Sequence, residues 1–283
     1  MSEPSATIYA PGKLVLMGEY AVIDGAPGIV LAIDRGVRCD VWLGDDTVRL
    51  TTPDGDTRFV QPAMRHASPA HYRFSDWNPV DLPGKPGFGG SAAACVAACV
   101  AAGRPATDAL AIHHRVQGSG SGVDVLASIH GGMGRTEDGR WHPVAPVIPV
   151  VTFAGRSAKT GPRVQQYRLW RGSAHARFVQ ESTELVDCFS DDPLRAFRSA
   201  WRLLVAMADA AGLEYRTEAI DHIVHTAQSL GGAAKPSGAG GGDCTVALFE
   251  DPDAAIRFQE RLEAVGLPSI PVSPASGAHR VDA

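Results

Sequence analysis

A glycine-dense stretch that runs into an alanine-rich segment holds the residue types best suited to chemistry. Residues 85–94 read KPGFGGSAAA. Glycine has no Cβ atom, so Gly87, Gly89 and Gly90 let the backbone turn tightly and present its N–H groups to an anion. A helix predicted from residue 91 to about residue 102 adds its free N–H groups and the positive end of its dipole. The stretch therefore predicts a phosphate-binding loop.

The residues of this central loop have separate predicted roles. Those expected to bind the phosphates of a nucleotide are Lys85, Gly87, Gly89, Gly90, Ser91 and Ala92. The hydroxyl of Ser91 suits either a helix N-cap or a Mg²⁺ ion that a nucleotide brings with it.

Two better-known phosphate loops do not fit the sequence. Gly12-Lys13 is followed by Leu14, and no stretch has the Walker spacing. Residues 87–92 match the dinucleotide form G-x-G-x-x-A, but that form must follow a buried strand. Prolines at 79, 83 and 86 would break such a strand, which favours a phosphate cradle of another kind.

Two further glycine loops occur, at residues 117–124 and 235–243. Asp124 ends the first of them, where a helix beginning at residue 123 or 124 would hold its carboxylate in place. An aspartate after glycines also suits a plain N-cap, and the residues alone leave both interpretations open.

Composition is typical of a globular protein: 283 residues, 45% hydrophobic, 20% charged and a net charge of −5. It predicts two domains, residues 1–148 and 149–283. The acidic balance argues against nucleic-acid binding, and neither a leader nor a membrane-spanning run is apparent, so a cytoplasmic protein is expected. The five cysteines form no C-x-x-C pair and suit buried, reduced thiols.

Basic residues are unevenly spread. Residues 139–180 contain no Asp or Glu but seven Lys or Arg, which suits either a solvated basic face or a docking surface for an anionic substrate. Only four of the 26 basic residues are lysines. Each of the four lies near glycine or proline, so we expect all of them in loops, where a compact ammonium could reach a phosphoryl group.

Periodicity predicts a β-rich first half and an α/β second half. Strands are expected at residues 7–10, 28–33, 37–43, 58–60, 144–153, 244–249 and 269–272, with a hairpin whose turn signal is residues 24–25. Helices are expected at 107–116, 200–212, 220–227 and 255–265.

Three motifs in this order resemble the GHMP family of small-molecule kinases, which includes galactokinase, homoserine kinase, mevalonate kinase and phosphomevalonate kinase. They are residues 10–20 (APGKLVLMGEY), 87–93 (GFGGSAA) and 235–243 (KPSGAGGGD). The resemblance covers most of the chain. It implies an α+β fold of two domains, the first like domain 2 of ribosomal protein S5 with a left-handed crossover, the second ferredoxin-like. The active site would lie between them.

The resemblance also implies roles for residues. Lys13 and Asp124 would be catalytic, ATP and Mg²⁺ the cofactors, and Ser91 the metal ligand. The third loop would close on the nucleotide through Gly238, Ala239, Gly240 and Gly241. His113 stands where a mevalonate kinase has a metal-binding glutamate.

Within the family, residues 117–125, 154–160 and the Asp243-Cys244 pair look most like phosphomevalonate kinases. This likeness implies an anionic small-molecule substrate, 5-phosphomevalonate, converted to its diphosphate. The residues implied to bind it are Glu19, Tyr20, Ser119, Ser121, Gly122, Arg156, Lys159, Thr160, Lys235, Ser237 and Asp243. Mevalonate kinase, a decarboxylase of the same superfamily and a catalytically silent sensor remain alternatives, and a homodimer remains open.

Overall fold

The computed structural model describes residues 3–118, 120–157 and 160–283. Ser119 and Lys159, both expected to bind substrate, lie outside the described residues. Within the described part of the chain, no helix is both long and apolar enough to cross a bilayer.

Groups of strands and groups of helices follow one another along the described part of the chain. The strands are β1 (Ala6–Met17), β2 (Gly28–Leu43), β3 (Val48–Thr51), β4 (Ala70–Asp76), β5 (Met133–Glu137), β6 (Arg140–Val144), β7 (Val150–Phe153), β8 (Ala233–Pro236), β9 (Cys244–Leu248), β10 (Ser269–Ile270) and β11 (His279–Asp282). The helices are α1 (Gly90–Ala101), α2 (Asp108–Gln117), α3 (Val123–His130), α4 (Thr160–Leu169), α5 (Ser173–Asp187), α6 (Pro193–Ala211), α7 (Glu218–Ser229) and α8 (Pro252–Glu263), with a 3-10 turn at Ala21–Asp24.

The first sheet has seven strands. Its main path is β11-β1-β2-β4-β3, and β5 and β6 extend it from the first part of β2. Helices α1 and α3 pack on β1 and β2. The side chains of α1 are almost all alanine, cysteine or valine, and most are buried, so this helix can lie close to the sheet.

The second sheet has four antiparallel strands in the order β10-β7-β9-β8. Helices α4 to α7 connect β7 to β8, and α8 connects β9 to β10. This βαββαβ arrangement is ferredoxin-like. The predicted α+β class is confirmed, as is the ferredoxin-like second sheet. The last strand, β11, returns to pair with β1 of the first sheet. The boundary at residue 148 stays a prediction.

The expected hairpin is present, since β1 and β2 pair antiparallel, but the loop expected at Lys13 is wrong. β1 is continuous through Lys13 and pairs with β2 on both sides of a bulge between Ala10 and Gly12. The bulge tolerates glycine alone, because a Cβ on Gly12 would lie 2.2 Å from the Arg35 carbonyl oxygen. Lys235 likewise lies in strand β8 rather than in a loop.

The strand expected at residues 58–60 is also wrong. This segment forms turns in which the N–H groups of Val60 and Gln61 both donate to the Thr57 carbonyl. The turns bring Val60 and Met64 into the core. The strand that pairs with β2 on this side of the sheet is β4. An apolar residue in a short segment satisfies either geometry, so its local pattern did not separate the two.

Candidate active site

Lys13 and Asp124 meet at Gly89, although they are far apart in sequence. Lys13 projects from β1, and Asp124 lies in the first turn of α3. A Cβ atom built on Gly89 would lie 3.2 Å from Lys13 Cγ and 3.5 Å from Asp124 Cβ. Lys13 Nζ donates to the Gly87 carbonyl at 2.9 Å. An ammonium and a carboxylate thus flank the central glycine loop.

The central loop delivers an open helix N-terminus to this point. Gly89 is the N-cap of α1, with φ of 78°, and no side chain of the described residues caps the helix. Ala92 and Ala93 both donate to the Gly89 carbonyl, whereas no described residue accepts a hydrogen bond from the N–H of Gly90 or Ser91. Two N–H groups at the positive end of a helix therefore remain for an anion.

Ser91 and His113 form a pair beside the loop. Ser91 Oγ lies 3.2 Å from His113 Nε2, and the ring of Phe59 stacks on the imidazole with centroids 5.0 Å apart. Burial lowers the pKa of His113, and the nearby Asp124 carboxylate only partly offsets this. The imidazole is therefore neutral near pH 7. Ser91 thus has the Asp124 carboxylate nearby and a neutral imidazole at position 113, where the family resemblance would place a glutamate.

Metal ions have no preformed protein cage here. Within the described residues, no group of three or more His, Cys, Asp or Glu side chains could hold a metal ion. Mg²⁺ commonly keeps several waters and is held by one or two protein oxygens plus substrate phosphates. Ser91 Oγ, next to the open N–H groups of α1, fits that mode of binding.

The third glycine loop is held from several sides. Tyr20 donates its hydroxyl to the Ala239 carbonyl at 2.7 Å, and Arg156 Nε donates to the Gly241 carbonyl at 3.0 Å. Gly240 has φ of 67° and packs so closely on Tyr215 that a Cβ would lie 2.2 Å from its ring. The loop end also contacts the central loop, because a Cβ on Gly87 would lie 2.7 Å from Asp243 Oδ2.

Glu19 and Lys235 bind each other in the protein interior. Lys235 Nζ donates to Glu19 Oε1, and the two residues are 0% and 3% exposed, respectively. Burial lowers the pKa of Lys235, while the Glu19 carboxylate raises it; burial is the larger effect. Both side chains are thus enclosed by protein.

The remaining expected site residues lie in several segments of the chain. Ser237 accepts from the Val15 N–H at 2.9 Å. Ser121 and Gly122 precede α3, and Thr160 is the exposed first residue of α4. The Lys85 side chain is exposed and contacts Asp54, while its carbonyl accepts from Ser157 Oγ at 2.8 Å. The segment that includes Arg156 therefore lies against the central loop.

Sequence reasoning did not single out Tyr215 and Arg163, which support the third loop. The Tyr215 carbonyl accepts from the Gly241 N–H at 2.7 Å, and a Cβ on Gly241 would lie 2.0 Å from the Arg163 guanidinium. Arg163 belongs to the acid-free stretch, which was the one available signal. Tyr215 follows a helix end and carries no motif.

Comparison with known proteins identifies the family. The family model for the C-terminal part of GHMP kinases matches residues 194–266. A phosphomevalonate kinase from Streptomyces sp. (strain CL190) is 30% identical, over 94% of this chain and 96% of the relative. The mevalonate kinase of Archaeoglobus fulgidus is 26% identical, over 90% of this chain and 97% of the relative.

A solved structure agrees with these relatives. The Streptococcus pneumoniae phosphomevalonate kinase in complex with phosphomevalonate and AMPPNP superposes with a TM-score of 0.75 and 18% identity, covering 95% of this chain and 99% of that one. The chain belongs to the GHMP kinase family, and it is a kinase.

Proposed function

We propose that this kinase transfers the γ-phosphoryl group of ATP to 5-phosphomevalonate and yields 5-diphosphomevalonate and ADP. The observation that carries the proposal is the meeting of Lys13, Asp124 and the open N-terminus of α1 at Gly89. Phosphoryl transfer needs positioning and charge neutralisation more than covalent chemistry, and this arrangement offers both.

Each residue has a role that follows from its position. The N–H groups of Gly90 and Ser91 hold the nucleotide phosphates, together with N–H groups of the third loop. Ser91 Oγ would hold Mg²⁺, and the ion would neutralise phosphate charge. Lys13 Nζ lies between the acceptor oxygen and the transferred group, and Asp124 orients Lys13.

The choice of acceptor rests on two features. The Streptomyces relative is a phosphomevalonate kinase, and the S. pneumoniae phosphomevalonate kinase binds phosphomevalonate. In addition, the acid-free stretch supplies a cation to the site, since Arg156 contacts the third glycine loop and the adjacent Ser157 contacts the central loop. A phosphate acceptor is largely ionised near pH 7, so Asp124 need not remove a proton from it.

An acceptor screen tests the proposal. ADP release is measured with phosphomevalonate, mevalonate, homoserine and galactose, and phosphorus NMR identifies the product. We expect the highest kcat/KM for phosphomevalonate and a diphosphate signal. Preference for mevalonate would make the chain a mevalonate kinase, the activity of its other relatives. Release of CO₂ would indicate a decarboxylase, and absence of turnover with any acceptor a silent sensor.

A further inference from the structure

We infer that Glu19 and Lys235 form a positioning pair, which fixes the third glycine loop against β1 and does not touch the acceptor. The inference rests on the proposed function in one respect, namely that this loop holds the phosphates of ATP. It concerns two residues whose motif positions suggest substrate binding but whose side chains the fold encloses.

The pair is closed off from any ligand. The side chains of Lys235 and Glu19 are 0% and 1% exposed. Besides Glu19, Lys235 Nζ has the Pro236 carbonyl at 3.4 Å and the ring of Phe197 with its centroid at 5.0 Å. A carboxylate, a carbonyl and an aromatic face thus surround the ammonium. A substrate could reach it only if this part of the core opened.

Two further contacts run in the same direction as the ion pair. Val15 N–H donates to Ser237 Oγ at 2.9 Å, and Tyr20 donates its hydroxyl to the Ala239 carbonyl at 2.7 Å. The end of β1 and the residues just after it are therefore tied at three points to the start of the third loop. β1 also carries Lys13, so the three ties set the distance between Lys13 and the loop.

Tyr20 is held in a conformation that its own side chain disfavours. Its φ is 63°, which is rare for a bulky residue. The ring packs against Tyr167 and Tyr215, with centroids 5.1 Å and 6.3 Å away. Strain of this kind persists where the surroundings over-determine the geometry, and it clusters at functional sites. Here it aims the Tyr20 hydroxyl at the third loop.

A buried ion pair suits a positioning role better than a stabilising one. Apolar replacements of buried pairs are often neutral or favourable for stability, whereas a pair with defined partners specifies one arrangement. The Lys235–Glu19 contact joins β8, in the second sheet, to the segment after β1, in the first. The contact therefore fixes the position of β8 relative to the segment after β1.

The test removes the pair without leaving a lone charge. In the double variant Glu19→Gln/Lys235→Met, both groups are neutral and similar in size to the originals. We expect weaker binding of an ATP analogue, by roughly 10- to 100-fold, because small displacements of positioning groups have effects of this size. We also expect faster amide exchange in residues 236–243, and a KM for the acceptor within about twofold of wild type.

Asp40→Asn is the matched control. Asp40 is also buried and ionic, with hydrogen bonds from Thr7 at 2.8 Å and Arg73 at 3.1 Å, but it lies in the first sheet and away from the loop. It should lower the melting temperature without changing analogue binding or exchange in residues 236–243. Tyr20→Phe, which removes one tie without altering charge, should shift both loop measurements in the same direction as the double variant, but less.

Two outcomes would overturn the inference. A higher acceptor KM with unchanged analogue binding would mean that the pair contacts the acceptor. Wild-type analogue binding and wild-type exchange in both the double variant and Tyr20→Phe would reduce the pair to a stability element. Analogue binding and amide exchange need no acceptor, so the inference can fail or stand independently of the choice of phosphomevalonate.

Discussion

Lys13 and Lys235 are both strand lysines beside a glycine loop, yet the fold uses them in opposite ways. Lys13 Nζ reaches the Gly87 carbonyl, and the Lys13 side chain lies beside Gly89, which also adjoins Asp124 Cβ and caps the open end of α1. Lys235 Nζ is enclosed and paired with Glu19. An ammonium bordered by free N–H groups can meet a phosphate, whereas one already neutralised in the core can only hold the protein together. Proximity to glycine therefore does not identify a catalytic lysine; its partner and its burial do.

The largest expected effect comes from removing the charge of Lys13 or of Asp124. It tests whether Lys13 is catalytic, in contrast to Lys235. Lys13→Met and Asp124→Asn should each lower kcat by roughly 100-fold or more, because each removes a positioned charge from the transfer step. Steady-state kinetics and thermal melting are measured together. If the melting temperature falls in step with the rate, the two residues are structural and Lys13 resembles Lys235 after all.

A third lysine, Lys159, is expected to bind the acceptor rather than ATP. Lys159→Ala should raise the KM for phosphomevalonate by roughly 10- to 150-fold, since a charge-assisted contact to phosphate contributes about 1.5–3 kcal/mol. The KM for ATP should stay constant. Arg168→Ala removes an exposed cation from the same acid-free stretch and controls for net charge, at fixed ionic strength. Parallel loss of ATP and acceptor affinity would refute a Lys159 contact that is specific to the phosphate of the acceptor.

A substitution at Ser91 tests whether the site around Lys13 also binds the metal ion. Ser91→Ala should raise the Mg²⁺ concentration needed for half-maximal rate by roughly tenfold, in line with the loss of a metal-site contact. Nucleotide binding without Mg²⁺, followed by calorimetry, should change little because the N–H groups of α1 remain. An unaltered Mg²⁺ titration would remove Ser91 from the metal site.

A substitution at Gly240 tests whether the third glycine loop, which begins at Lys235, must keep its position. Gly240→Ala and Gly266→Ala both introduce a side chain at positive φ, 67° and 77°, at a cost of roughly 1–2 kcal/mol each. Only the Gly240 variant also meets a ring, that of Tyr215, while Gly266 has open space. We expect several-fold weaker ATP binding for Gly240→Ala alone. Equal ATP affinity in the two variants would show that the loop position is not critical.

The smallest expected effect concerns the buried carboxylate of Asp40. Burial raises the pKa of Asp40, but hydrogen bonds from Thr7, Arg38 and Arg73 outweigh it, so the net pKa is below the usual range. The stability this provides is complete above the unfolded pKa of about 3.9 and is lost as pH falls through the folded value. Asp40→Asn should therefore flatten the acid side of the stability curve, measured by denaturant unfolding from pH 6 to pH 2. An unchanged acid limb would assign acid unfolding to other carboxylates.

The sequence by itself determined the parts of the protein that depend on local chemistry. Glycines fixed where the three loops turn, and helices α1, α2 and α3 begin within a residue or two of the expected positions. The order of the motifs identified the kinase family and, through that resemblance, implied the α+β class, whereas periodicity indicated a β-rich first half and an α/β second half.

Only the tertiary structure decided which of those residues share a site. Gly89 brings Lys13 and Asp124 together across more than a hundred residues of chain, and no local pattern encodes that distance. The bulge that lets β1 continue through Lys13 depends on pairing with β2. Strand β4 also forms by pairing with β2. Burial of Lys235 beside Glu19 is likewise a property of two packed sheets. A side chain's solvation is set by what surrounds it, and that surrounding is assembled from segments far apart in sequence.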